Sequence, residues 1–168
     1  FLHLAYEIKK DNGEVLARMD DLQCDDYKTL IRGNPFSCLG VFIRKEVAES
    51  FRFNENIKLS GSEDWELWLR IVANYGFKTD NRISAALFEH DTRSVKFGQN
   101  IENQLLYRKE LSLKYAFVDQ QVRKVYGPYY KKIESFCDSY IGLHLMLAGN
   151  RLRGFRYTCR AILTNPEV

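Results

Sequence analysis

Long apolar runs are missing from this chain. No stretch of about eighteen apolar residues occurs, the length a helical membrane span needs, so no spanning helix is expected. Paired cysteine spacing is missing as well. The four cysteines, Cys24, Cys38, Cys137 and Cys159, form no C-x-x-C unit, which excludes a zinc site on spacing grounds. Three of them sit among apolar neighbours and read as reduced core thiols, a pattern that favours a cytoplasmic location. There is no internal repeat and no low-complexity tract. A dominant charge of one sign is absent too: 25 Lys and Arg stand against 22 Asp and Glu, a net +3. With no recognisable nucleic-acid module beside it, that excess does not point to nucleic acid as a partner.

What is present suits a globular fold. The 168 residues are 45% apolar and 14% aromatic, enough to build one core. Charge is unevenly spread. Residues 1–97 hold 14 Lys/Arg against 16 Asp/Glu, a balance of −2, whereas residues 98–168 hold 11 against 6, a balance of +5. The pattern changes from mixed to helical at the same place. A subdomain boundary is therefore expected near Lys96 to Asn100, dividing the chain into 1–97 and 98–168.

Leu2–Ile8 and Glu14–Arg18 alternate around Lys10-Asp11-Asn12-Gly13, which predicts a β-hairpin. A short helix is expected over Asp26–Arg32, ended by Gly33. Cys38–Arg44 reads as a buried strand, followed by a helical turn through Lys45–Ser50. A long helix is predicted over Glu63–Tyr75, closed by Gly76. Phe77–His90 holds one or two strands, with Ile83–Phe88 as an apolar core segment. Helices are then expected over about Ile101–Ala116, Val118–Tyr126, Tyr129–Leu147 and Gly154–Leu163, broken at Gly127-Pro128 and Gly149-Asn150. The fold class is α+β: a mixed sheet with flanking helices, then a helical C-terminal region.

The segment Gly61-Ser62-Glu63-Asp64-Trp65-Glu66-Leu67-Trp68-Leu69-Arg70 carries one misplaced charge. At about 100° per residue, Trp65, Leu67, Trp68, Leu69, Ile71, Val72 and Tyr75 share a broad apolar arc, and Glu63, Glu66, Arg70 and Asn74 lie opposite. Asp64 falls inside the apolar arc. A carboxylate turned toward the body of a protein costs several kcal/mol unless something there uses or neutralises it. Asp64 is thus the first candidate for chemistry. A structural role competes: Ser60 and Glu63 have capping-box spacing, and acids suit a helix N-terminus.

Several motifs occur in a telling order. Asn34-Pro35-Phe36 comes first, then Val41-Phe42-Ile43-Arg44-Lys45-Glu46-Val47, then Phe51-Arg52-Phe53-Asn54-Glu55-Asn56. Glu63-Asp64-Trp65-Glu66-Leu67-Trp68 follows, then His90 with Ser94 behind it. Over residues 1 to 96 this resembles the second half of the catalytic domain of a family 2 glycosyltransferase, an inverting enzyme with the GT-A fold. The hairpin around Asp11-Asn12-Gly13-Glu14-Val15 fits the segment that follows that family's nucleotide-binding half. The resemblance implies that this half, with its Asp-x-Asp metal motif, precedes Phe1. Asp20-Asp21 and Asp25-Asp26 lack that motif's apolar strand context and read as loop acids and helix caps. The chain is therefore expected to be a fragment, inactive alone and prone to self-association.

In such enzymes the aspartate of the Glu-Asp pair is the general base, which assigns that role to Asp64, with Glu63 orienting at the entrance. Trp65 is expected as a sugar-stacking platform and Trp68 as a core residue. Asn34, Ser37, Cys38 and Gly40 are expected to line the sugar pocket, with Pro35 fixing a turn and the small residues allowing close approach to the backbone. A turn into a buried strand explains the same residues equally well. His90 is placed near the diphosphate and its metal, Mn²⁺ or Mg²⁺, held mainly by the missing half. The family often has Arg two residues before this His; here that place holds Phe88, so either Arg93 supplies the positive charge or the phosphate grip is weaker than in the family. His3 and His144 read as structural. The resemblance implies a nucleotide-diphosphate sugar donor and a glycan or lipid-linked acceptor, in polysaccharide or glycoconjugate biosynthesis.

The tail adds a separate signal. Arg153, Arg156 and Arg160 share one helix face with Arg151 nearby, and Phe155, Cys159 and Ile162 form the other. Such a helix either rests on anionic membrane, at the inner face, or presents a solvated basic face. The competing function is a non-catalytic helical interaction or assembly domain, with Asp64 as a buried cap.

Overall fold

The computed structural model describes residues 1–20, 27–89 and 100–167. Strand β1, Leu2–Lys10, is the centre of a four-stranded mixed sheet. Its alternation buries His3, Ala5 and Glu7 on one side. Gly13 takes φ +86° in the tight turn and donates to the Lys10 carbonyl at 2.9 Å, so the chain doubles back. Strand β2, Val15–Met19, then pairs antiparallel with Tyr6–Lys9. Strand β3, Val41–Phe42, pairs antiparallel with Leu2 and His3. Strand β4, Lys78–Glu89, runs parallel to the whole of β1. The outer edge of β4 pairs with no strand among the described residues.

Two strand expectations change. Cys38–Arg44 is not a buried strand: Cys38–Gly40 is a 3₁₀ turn, only Val41–Phe42 pairs as a strand, and Phe42 is exposed. Ser37 caps that turn, its Oγ accepting from the Leu39 amide at 3.3 Å, which tightens the backbone before a ladder can start. Ile83–Phe88 belongs to one long strand, but Ile83 and Phe88 are each about half exposed because β4 lies at the sheet edge.

Helix α1 is Lys45–Ser50 and helix α2 is Glu63–Tyr75, ended by Gly76 at φ +67°. Trp65, Leu67, Trp68, Leu69, Ile71 and Val72 of α2 are all buried. Each such side chain contributes about 1.5–3 kcal/mol over its exposed state. They pack with Leu30, Ile31 and Phe36 on one side and with Leu113, Ala116, Val122, Tyr126 and Ile133 on the other. The latter come from helices α3 (Ile101–Ala116), α4 (Gln120–Tyr126) and α5 (Tyr130–Leu147). One core thus spans both sides of the boundary expected near residue 97. A smaller cluster, Ile101, Leu105, Ile141 and Leu145, fills the space between α3 and α5.

Helix α6, Arg151–Thr164, folds back on α5 after Gly149 at φ +86°. The two helices meet where side chains vanish: a Cβ on Gly154 would lie 2.6 Å from the Gly142 carbonyl oxygen. Ser135 Oγ donates to the Ala161 carbonyl at 2.8 Å. The face of α6 turned inward holds Gly154 and Ala161, while Phe155 and Ile162 of the apolar face point to solvent. Asp138 of α5 is buried and takes Arg160 in a fork (Nε to Oδ2 2.8 Å, Nη2 to Oδ1 2.7 Å) together with Lys109 of α3 at 2.7 Å. Arg153 reaches Glu102 of α3 at 2.6 Å. Two of the arginines read as a surface face are fasteners between helices.

No helix among the described residues is long and apolar enough to cross a membrane.

Candidate functional site

The site forms where the first turn of α2 meets the loop that follows the Tyr27–Arg32 3₁₀ helix. Phe36 anchors that loop, buried and edge-on to Phe1 and Phe77. Asn34 Oδ1 accepts from the Phe36 amide at 3.2 Å, a local turn that aims the other end of the side chain outward. Its Nδ2 donates to Asp64 Oδ2 at 2.8 Å. Asp64 Oδ1 accepts from the Trp65 amide at 2.8 Å. Asp64 is half-buried. Burial raises its pKa above the ordinary carboxylate range, and the Trp65 amide opposes that rise. The neighbouring Glu63 charge adds to it, and the Asn34 amide works against it. The result is an ionisable acid with a defined orientation.

Glu63 turns back along the chain. Its Oε2 accepts from the amides of Gly61 (2.5 Å) and Ser62 (2.9 Å), satisfying donors that the helix leaves unpaired. The expected capping box with Ser60 does not form, because the N-cap is Ser62, two residues further on, and Glu63 bonds the amides of Gly61 and Ser62 instead. Ser62 Oγ donates to the Leu59 carbonyl at 3.1 Å and meets Ser112 Oγ of α3 at 3.1 Å. Gly61 sits at φ +89° against the Arg108 guanidinium, 2.9 Å from where a Cβ would be. Helix α3 thus buttresses the end of α2 that carries the acid, a contact no local sequence pattern announces.

Cys38 lies beside the same carboxylates. It is exposed at the rim, yet partial desolvation pushes its thiol up to about 11, with the charges of Asp64 and then Glu63 adding to the effect. Asn34, Cys38, Glu63 and Asp64, chosen from sequence, are therefore brought together. Other expected residues are not. Trp65 is buried, and its indole Nε1 donates to the Leu30 carbonyl at 3.2 Å, so the ring belongs to the core rather than to an open stacking face. Gly40 has no free space to offer a ligand: a Cβ there would fall 2.3 Å from the Leu4 carbonyl oxygen, so the missing side chain lets the turn press against β1. Ser37 is engaged through its amide, which donates to His3 Nε2 at 3.3 Å. Burial holds the His3 imidazole below its ordinary pKa, in keeping with a structural role. Trp68 is a core residue, as its position on the arc predicts. His90 and Arg93 lie outside the described residues.

Glu66 is the residue that sequence reasoning misplaced. It is buried, and Arg70 clasps it with two bonds, Nε to Oε1 at 2.7 Å and Nη2 to Oε2 at 2.8 Å. Arg70 Nη2 also donates to the Arg52 carbonyl at 2.8 Å. The chain around Arg52 covers the side of α2 that the helical projection leaves to water. The i, i+4 spacing of Glu66 and Arg70 was the available signal.

No group of three or more His, Cys, Asp or Glu side chains able to hold a metal ion occurs among the described residues. Both carboxylates at the site are committed to amide donors. The described residues of the site present no donor set for the divalent ion that the resemblance implies, and His90, its expected ligand here, lies outside them. Compared with protein-family models, curated proteins and solved structures, the chain matches none.

Proposed function

We propose that this chain contributes the acceptor side of a glycosyltransferase site, with Asp64 as general base. The observation that supports the reading best is the 2.8 Å bond between Asn34 and Asp64, thirty positions apart in sequence. A first-turn acid that only stabilised a helix terminus would need no side-chain partner from another loop. The raised pKa of Asp64 also suits a base, since a more basic carboxylate accepts a proton more readily.

In the proposed reaction Asp64 accepts the proton of the acceptor hydroxyl. The oxygen bonds to the anomeric carbon of a nucleotide-diphosphate sugar, and the bond to the diphosphate breaks on the opposite face. The leaving diphosphate takes the bonding electron pair, and the configuration at carbon inverts. Asn34 is a positioning residue: its hold on Oδ2, with the Trp65 amide on Oδ1, fixes the orientation of the Asp64 carboxylate, and each oxygen keeps a second lone pair that can take the acceptor's proton. Glu63 raises the basicity of Asp64 through its charge and holds the turn before it. Divalent metal and the nucleotide-binding groups are assigned to the half the resemblance places ahead of this chain, and no step here runs through them.

The test is Asp64→Asn in the full-length protein. Transfer should fall by about 10²–10⁴-fold while donor binding persists, because only the proton acceptor is lost. A rate above about a tenth of the parent's would remove Asp64 from the role. The alternative, a non-catalytic assembly domain, draws on a different observation, the large apolar side chains that α5 and α6 turn outward.

A further inference from the structure

Helix α6 has three sides. One, Gly154 and Ala161, is pressed onto α5. A second, Arg153, Tyr157 and Arg160, is tied to Glu102 and Asp138. At about 100° per residue the third side carries Leu152, Phe155, Ile162 and Leu163. This side faces water: Leu152 is 76%, Phe155 60% and Leu163 85% exposed. Leu143 and Leu147 of the adjoining α5 are exposed as well. The α5–α6 contact runs through Gly142, Gly154 and the Ser135–Ala161 bond, while these side chains stand exposed.

We propose that this flank is a docking surface for an anionic phospholipid membrane, with α6 lying in the plane of the interface. Helical spacing sets four large exposed apolar side chains in a strip on one side of α6, which is more than the single scattered residues normal on a surface. Arg151 and Arg156, both exposed, stand at its two borders. Helix α6 contains no acidic residue, and the acids around it have basic partners: Glu102 pairs with Arg153, Asp138 with Arg160, Glu134 with Lys109 and Glu167 with Lys132. An apolar strip between basic borders is the arrangement by which an interfacial helix sinks its apolar side to the acyl boundary and holds lipid phosphates beside it. The charge argues against a second copy as occupant. A two-fold contact through the strip would set the basic borders of both copies together with no acid on α6 between them. The inference does not depend on the sugar chemistry and holds whether or not Asp64 is a base.

Flotation with vesicles of phosphatidylcholine, with and without phosphatidylglycerol, tests this on the whole chain. The parent chain should float with the anionic vesicles and detach as salt rises, since screening shortens the reach of its arginines to about 8 Å at physiological ionic strength. A variant carrying Leu152→Ser, Phe155→Ser and Leu163→Ser should lose at least about tenfold in partitioning, because each removed side chain would have left water on docking. Its circular dichroism should match the parent's, as all three residues are exposed. Arg156→Glu should weaken binding to anionic vesicles more than to neutral ones. Equal flotation of parent and triple variant would overturn the proposal. So would a parent chain that ignores vesicles, including one that dimerises through this strip and becomes monomeric on the triple substitution.

Discussion

Removing Arg70 tests whether α2 is covered on both sides. Glu66 is 1% exposed, and its carboxylate has two bonds to Arg70 at 2.7 and 2.8 Å. Arg70→Met keeps much of the stem volume and deletes both donors. A buried carboxylate left without its partner costs about 3–5 kcal/mol. For a chain of this size that is a fall of about 6–20 °C in melting temperature. Glu66→Gln is milder. The amide keeps one acceptor for Arg70, and the guanidinium keeps the Arg52 carbonyl, so the loss should be about 1–2 kcal/mol. The double variant Glu66→Leu with Arg70→Leu should cost less than the sum of its parts, with a coupling of about 1–3 kcal/mol, because it leaves no orphaned charge. Urea unfolding followed by fluorescence of the buried Trp65 and Trp68 measures all three. If Arg70→Met costs under about 1 kcal/mol, Glu66 reaches water and α2 has one open side.

Arg160→Glu should destabilise the chain, because it sets a second carboxylate against buried Asp138; Arg160→Ala should cost about 1–2 kcal/mol less, since Lys109 stays at 2.7 Å, and thermal melts of both check the order. Cys38 should alkylate slowly near neutral pH, with the rate still rising above pH 9, as its thiol is pushed up to about 11. Asp64→Asn should speed that alkylation a few-fold at fixed pH, because it deletes a charge that disfavours the thiolate; an unchanged rate would separate the two side chains. Cys137, pushed up to about 12 by burial, should stay unreactive until the chain unfolds.

The elements with local punctuation were legible in the sequence. The hairpin follows from alternation around Gly13, and α2 from its apolar period and Gly76, with both ends where the pattern places them. That Asn34, Cys38, Glu63 and Asp64 share one place is what the resemblance implies; nothing in their local spacing carries the 2.8 Å contact between Asn34 and Asp64. Failures came where a distant segment decides which side of an element is covered. Glu66 projects to the polar side of α2, yet the chain near Arg52 closes over it. Phe155 and Ile162 project to the apolar side of α6, yet Gly154 and Ala161 let α5 come closer on another side, and close backbone contact outweighs a wide apolar arc. Trp65, expected as a stacking platform, is a core ring instead; the Leu30 carbonyl that accepts its indole lies thirty-five residues away and carries no local signal. Gly40 was read as room for a ligand, and the β1 backbone takes that room instead.

The pH dependence of transfer under saturating substrates tests the central claim most directly. A base works unprotonated, so the rate should rise with pH through the pKa of Asp64. That limb should lie above the ordinary aspartate value of about 3.9, because burial and the Glu63 charge raise it. Asn34→Ala removes a donor that favours the charged form, so the limb should move to still higher pH while the plateau falls. Asp64→Asn should abolish the limb together with the rate. A limb that stays in place in Asn34→Ala, or a pH profile that survives Asp64→Asn, would show that the proton goes elsewhere.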